Sequence, residues 1–161
     1  MHVSEPQPPP EPGAAAGQVT IGLGKRFGAR LLDGLIVGIP MWIVLAVLPG
    51  VSPGGFVGGV LTGIAYLAYF VYLEGTSGQT LGKGLLHIKV TTGGAPLSFD
   101  TAFKRNWWAG LSIFSGIPIL GALVGLVSLA IVIYIAITIS GDERNQGWHD
   151  KQAGTLVVGA A

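Results

Sequence analysis

Residues 34–73 read GLIVGIPMWIVLAVLPGVSPGGFVGGVLTGIAYLAYFVYL, forty positions without a charged side chain. About 20 apolar residues, rising roughly 1.5 Å each, cross a hydrocarbon core of about 30 Å, so this stretch is too long for one crossing. Pro-Gly at 49–50 and Pro-Gly-Gly at 53–55 interrupt it, and proline ends a helix while glycine permits the turn that follows. The stretch therefore predicts a hairpin of two membrane helices, at about 26–48 and 56–73.

A second uncharged stretch covers residues 106–141 and is interrupted by Ser-Gly-Ile-Pro at 115–118. It predicts a second helical hairpin, with helices at about 99–115 and 118–139. The first of these reaches a spanning length only if it begins near Phe99 and carries Lys104 and Arg105 partly into the membrane.

The composition agrees with a membrane protein. Hydrophobic residues make up 50% of the 161-residue chain and charged residues 11%, with a mean hydropathy of +0.62, whereas soluble domains carry roughly 25% charged residues. The net charge of +1 gives no support to a nucleic-acid partner, which needs a dense basic face. The absence of cysteine excludes disulfides and thiolate metal sites.

The basic residues favour four helices. With four crossings all nine Lys and Arg side chains fall on one side, and the loop at 49–55 carries none. The positive-inside rule then places both termini in the cytoplasm of a multi-pass protein in the cell membrane.

The polar segment 74–98 predicts a short β-structure. Leu86, Ile88 and Val90 alternate with His87 and Lys89, which is typical of a strand within a β-hairpin. The tail at 155–158 is expected to add a third strand on the same side of the membrane. The predicted fold is an all-α integral membrane protein, a four-helix bundle of two helical hairpins, with a small cytoplasmic β-segment.

The N-terminal residues 1–20 are rich in proline and have neither the basic nor the apolar region of a cleaved signal peptide. Proline fixes φ and lacks an N–H, so we expect an extended cytoplasmic tail before a membrane domain at 21–158. The tail's composition is typical of a bacterial source with high GC content.

Asp33 is the residue with the clearest chemical content, because an ionisable group inside a membrane helix is costly unless paired or hydrated. Arg26 and Arg30 precede it by seven and three residues, so all three share one helix face. Asp33 closes an intramembrane ion pair, binds a proton or cation along a pathway, or lies at a water-exposed position of the interface.

Other motifs leave alternatives open. Glycines at four-residue spacing, such as 55, 59 and 63, predict close helix packing within one chain or between two copies. The loop at 78–84 lacks the spacing of a nucleotide site and is expected to cap a helix and hold Lys83 near lipid headgroups. His149 beside Asp150 forms a proton-handling pair, contributes two metal ligands, or makes a capping or tertiary hydrogen bond, and no histidine pair has metal-ligand spacing.

Three blocks resemble the RDD family of small membrane proteins: RFGARLLDG at 26–34, GQTLGK at 78–83 followed by Ile-Lys-Val at 88–90, and His-Asp at 149–150 followed by Ala-Gly-Thr at 153–155. The resemblance matches the arginine and two aspartates of the family name to Arg26, Asp33 and Asp150. Arg105 lies where the family often has a basic residue, whereas Gly84 replaces a common basic one. The resemblance implies the fold and the charged residues, with transport of an unidentified ligand or cation/proton exchange as suggested activities.

The sequence therefore predicts transport of an ion or small solute, with Asp33 alternating between a proton or cation and the guanidinium of Arg26 or Arg105. The alternative is a non-transporting accessory or assembly subunit with a membrane-protein partner. No enzyme activity and no cofactor are predicted. Besides the lipid bilayer, a second copy of the chain is an expected partner through the glycine-rich helix faces.

Overall fold

The structure, a computed structural model, describes residues 19–93 and 97–160, so most of the expected proline-rich tail lies outside the described residues. The described part is mostly helical with a small two-stranded sheet, as expected. In chain order its elements are α1 (Leu23–Val47), α2 (Phe56–Ser77), α3 (Leu81–Leu85), β1 (Ile88–Thr91), α4 (Phe99–Asn106), a 3-10 helix (Trp107–Phe114), α5 (Leu120–Ser140), α6 (Trp148–Ala153) and β2 (Leu156–Gly159).

Within residues 19–93 and 97–160, three helices are long and apolar enough to cross a membrane: α1, α2 and α5, with 25, 22 and 21 residues. Their outer faces expose large apolar side chains such as Trp42, Leu126 and Ile137. Such exposure is unfavourable in water and suits contact with lipid tails. The chain is therefore a membrane protein with three candidate spans.

The expected continuous helix at 99–115 is not seen. Its place is taken by α4 and the 3-10 helix, which together extend about 28 Å because a 3-10 helix rises about 2.0 Å per residue against 1.5 Å in an α-helix. This segment runs antiparallel to α2: Phe99 packs on Gly75, and Ile113 packs on Gly63. A segment too short to cross as an α-helix thus covers nearly the length of α2.

Glycines make this packing possible. A Cβ atom on Gly59 would lie 2.7 Å from the backbone nitrogen of Gly116, and one on Gly63 would collide with the backbone of Ile113. Two members of the predicted glycine ladder therefore serve packing within the chain.

The sheet differs from the predicted hairpin. β1 pairs antiparallel with β2, from Ile88 opposite Gly159 to Thr91 opposite Leu156. Among the described residues of segment 74–98 no second strand accompanies β1, so the tail strand is its direct partner. The start of α1 is tied to the same sheet, because the Ile21 N–H donates to the Val157 carbonyl oxygen at 2.9 Å.

The two ends of the molecule differ in composition. The charged end comprises the start of α1, the ends of α2 and α5, and α3, α4, α6 and the sheet, around a small core that includes Ala29, Val90 and Val157. The apolar end comprises the turns at 48–55 and 115–119, which contain no charged residue.

Candidate functional site

Seven ionisable side chains from five helices gather at the charged end, and six of them are buried with only Arg30 half-buried. We call them the charged cluster: Arg26, Arg30, Asp33, Glu74, Lys83, Arg105 and Asp150. Three of the four principal residues predicted from the sequence, Arg26, Arg105 and Asp150, are joined by ion pairs, whereas Asp33 is held by neutral donors. Glu74, which the sequence did not single out, also belongs to the cluster.

Asp150 joins the start of α1 to α4. Its carboxylate forms ion pairs with Arg26 and, at 2.8 Å, with Nε of Arg105. It lies in the first turn of α6 and accepts a hydrogen bond from the backbone N–H of Gly147 at 3.0 Å, which fixes its orientation. Burial alone would raise the pKa of this carboxyl, but the charges of Arg105 and Arg26 outweigh burial and hold the pKa below its usual range.

Glu74, near the end of α2, is like Asp150 a buried carboxylate between two cationic side chains. Its carboxylate pairs with Lys83 and accepts hydrogen bonds at 2.8 Å from Nη1 of Arg105 and from Nδ2 of Asn106. Arg105 therefore bridges Glu74 and Asp150 and links three helices. Glu74 is the first charged residue after the forty-residue apolar stretch, and the depth argument applied to Asp33 would have identified it.

Asp33 has different partners from those expected. Its carboxylate accepts hydrogen bonds from the hydroxyls of Tyr69 and Thr80, both at 2.6 Å, and from the Gly82 N–H at 2.7 Å. The two expected partners, Arg26 and Arg105, instead pair with Asp150, and Arg105 also pairs with Glu74. Gly82 has no room for a side chain, since a Cβ would lie 2.8 Å from Oδ1 of Asp33. Asp33 thus holds the start of α3, through Thr80 and Gly82, against α1.

That loop carries Lys83 into the cluster. Thr80 caps α3 by accepting a hydrogen bond from the Lys83 N–H at 3.3 Å, so the capping role predicted for the loop is observed. The expected position of Lys83 at the lipid headgroups is wrong, because its ammonium group is buried against Glu74. Burial lowers the pKa of this amine, and the Glu74 carboxylate opposes that effect.

Arg30 is held chiefly by aromatic rings. Its guanidinium carbon lies 3.5 Å from the ring centroid of Phe70 and 4.6 Å from that of Trp108, a double cation–π contact. It also donates a hydrogen bond of 3.4 Å to Oδ1 of Asn106. Trp108 therefore contacts a cluster residue, a role distinct from the aromatic belt of a membrane interface.

His149 lies beside Asp150, with Nε2 at 3.4 Å from the carboxylate. Its side chain is nearly buried, and burial lowers its pKa to about 3, so the imidazole is neutral at pH 7. Its Nδ1 and the Nη2 of Arg26 are both buried without a hydrogen-bond partner among the described residues. Buried polar atoms of this kind ordinarily find a partner.

A groove of about 110 Å³ opens between α1 and α5 and reaches the charged cluster. Its apolar walls are formed by Leu23 and Phe27 of α1 and by Val132, Ile135, Ala136 and Ile139 of α5. Its inner surface is formed by cluster residues together with Asn106, Trp108, His149 and Val157. The two unpartnered nitrogens belong to residues that line this groove.

The cluster does not balance its own charge. It holds four cationic side chains and three carboxylates, which leaves one positive charge in excess. The excess belongs to Arg30, the half-buried member with two aromatic contacts, because the six buried members carry three positive and three negative charges. Among the described residues no group of three His, Asp or Glu side chains could hold a metal ion.

Apolar helices and a buried polar centre define an integral membrane protein with a charged site at one end of its spans. A comparison with known families matches residues 20–154 to the RDD family. The chain therefore belongs to the RDD family, and the resemblance seen in its three motifs is confirmed. No curated protein and no solved structure gives a significant match.

Proposed function

We propose that this protein transports an ion or small solute across the membrane and that the charged cluster is its working centre. One observation carries the proposal: a cluster of buried ion pairs, which with the half-buried Arg30 carries one excess positive charge, borders a groove between two membrane helices. Ionisable groups buried among membrane helices are expensive and are by default functional.

Lys83 is the group we propose for proton exchange. Removing its proton would leave three cations and three carboxylates, so the proton's departure neutralises the cluster. The arginines cannot serve in this way because a guanidinium keeps its proton in proteins. Glu74, which pairs with Lys83, lines the groove and gives the proton a neighbouring acceptor.

Asp33 then acts as a positioning residue. Its hydrogen bonds to Thr80 and Gly82 hold the loop that delivers Lys83 to Glu74. This role differs from the proton or cation carrier expected from the sequence, in which Asp33 itself would change partners. If Lys83 exchanges the proton, Lys83→Arg abolishes flux, whereas flux survives this substitution if Asp33 carries the proton or cation.

The test is the dissipation of a preset proton gradient in proteoliposomes when sodium, potassium or lithium salts of different anions are added. We expect flux in the native protein, its loss in Lys83→Arg, which keeps the charge but not the exchangeable proton, and its retention in Lys104→Arg, an exposed control. Flux that survives Lys83→Arg, disappears in Asp33→Asn and depends on the cation would restore the Asp33 carrier. No flux in any form would favour the accessory-subunit alternative.

A further inference from the structure

Two residues that line the groove between α1 and α5, Arg26 and His149, each have a buried nitrogen atom without a hydrogen-bond partner among the described residues. Arg26 uses Nε for the carbonyl oxygen of Ile21, at 2.7 Å, and Nη1 for Asp150, while its buried Nη2 has no partner among the described residues. Leaving a buried donor without a hydrogen-bond partner costs on the order of 1–3 kcal/mol, and more for a charged group. The arrangement is therefore incomplete as it stands.

The missing partner must be an acceptor. A guanidinium only donates hydrogen bonds, so Nη2 of Arg26 requires an oxygen or another lone-pair atom. Nδ1 of His149 is also unpartnered, and it donates to the same kind of atom when it carries a proton, which leaves Nε2 able to donate to Asp150 only if the ring is doubly protonated. Because the seven cluster residues together carry one excess positive charge, we expect this acceptor to carry one negative charge.

The groove walls specify the rest of the ligand. They are apolar side chains of α1 and α5, so a strongly hydrated ion such as phosphate would lose water there without replacement. The volume of about 110 Å³ is of the same order as the roughly 150 Å³ apolar cavity that holds a benzene ring. It suits a small apolar body rather than a long chain.

We propose that this groove binds a monoanionic oxyanion on a small apolar body, a carboxylate or sulfonate, with its oxygens on Arg26 and His149. The proposal rests on the function above by naming the solute class of the same site. The bound anion compensates the excess charge and favours the protonated form of Lys83, so anion and proton would move together. An anionic phospholipid shares this head chemistry but has a much larger apolar part.

The experiment measures binding by the full-length protein in nanodiscs of zwitterionic phosphatidylcholine, from the rise in unfolding temperature. The probe is benzenesulfonate, and the neutral benzenesulfonamide is its uncharged control. We expect saturable stabilisation by benzenesulfonate and none by the sulfonamide or inorganic phosphate.

Three variants locate the site. Ala136→Phe fills the groove from α5, and Ala130→Phe is its matched control on an exposed position of α5 outside the groove. Arg26→Lys keeps the charge that Asp150 needs but removes the second N–H, and His149→Phe removes Nδ1. We expect at least tenfold weaker binding in Ala136→Phe and Arg26→Lys, a smaller loss in His149→Phe, and native affinity in Ala130→Phe.

Equal binding by the native protein and Ala136→Phe would overturn the site. Stabilisation by phosphatidylglycerol in the nanodisc without any response to benzenesulfonate would overturn the soluble ligand in favour of a lipid. Benzenesulfonate binding without proton flux would contradict the proposed transport and support the binding site. Proton flux without benzenesulfonate binding would support transport and contradict the binding site.

Discussion

The two ends of this protein are held together by different forces. At the charged end, ion pairs and hydrogen bonds link helices through long polar side chains such as Arg105, which bridges Glu74 and Asp150. At the apolar end, contact depends on the absence of side chains, because Gly59 and Gly63 let α2 touch the 3-10 segment. Removing one charged partner should therefore cost more than adding one methyl group, and only the charged end should respond to pH.

Replacing Asp150 is expected to have the largest effect. Asp150→Ala leaves Arg26 and Arg105 buried without a shared carboxylate, and breaking a buried pair in this way costs about 3–5 kcal/mol. The free energy of unfolding in mixed micelles measures this loss. The control is Asp100→Ala, whose carboxylate is 69% exposed; equal losses in the two variants would contradict the cluster.

At the apolar end, Gly63→Ala is expected to destabilise by about 1–3 kcal/mol, because the new methyl group would collide with the backbone of Ile113. Gly125→Ala is the matched control, since nothing lies within 4 Å of its Cβ position. There the higher helix propensity of alanine should leave stability unchanged or slightly raised. If the two variants behave alike, α2 does not pack on the 3-10 segment as described.

Acidification is expected to weaken the charged end. Burial lowers the pKa of His149 from 6.5 to about 3, so between these values the unfolded chain binds a proton that the folded chain does not. The free energy of unfolding should fall as the pH is lowered from 7 to 5, by up to about 1.4 kcal/mol per pH unit. His149→Phe should flatten this slope, and His87→Asn, at an exposed position, should keep it. A slope unchanged in His149→Phe would assign it to other groups.

The smallest effect is expected where a charge pair faces solvent. Lys104 and Asp100 lie 2.7 Å apart, but their side chains are 58% and 69% exposed. Exposed pairs contribute about 0–1 kcal/mol. Lys104→Ala should therefore change the free energy of unfolding little, and a loss comparable to that of Asp150→Ala would show that burial does not govern the cluster.

The sequence predicted three of the candidate membrane helices, and it singled out Arg26, Asp33, Arg105 and Asp150 because charge inside or beside an apolar stretch is informative on its own. The sequence did not predict the pairing of the charged side chains. Asp33 and Arg26 share a helix face, yet Asp33 accepts hydrogen bonds from the hydroxyls of Tyr69 in α2 and Thr80 before α3. Such competition between distant segments leaves no periodic signal.

The 3-10 segment escaped prediction for another reason. Residues 107–114 are apolar and compatible with an α-helix. They wind as a 3-10 helix where they pack along the glycines of α2, which is a contact between segments far apart in the chain. Local propensity cannot report that contact.

Proton entry driven by an anion gradient tests the central claim most directly. Proteoliposomes that contain a pH-sensitive dye receive benzenesulfonate on the outside at equal internal and external pH. We expect internal acidification with the native protein and with Lys104→Arg, and none with Lys83→Arg. Equal acidification in Lys83→Arg, or none with the native protein, would contradict the coupling of proton and anion at the charged cluster.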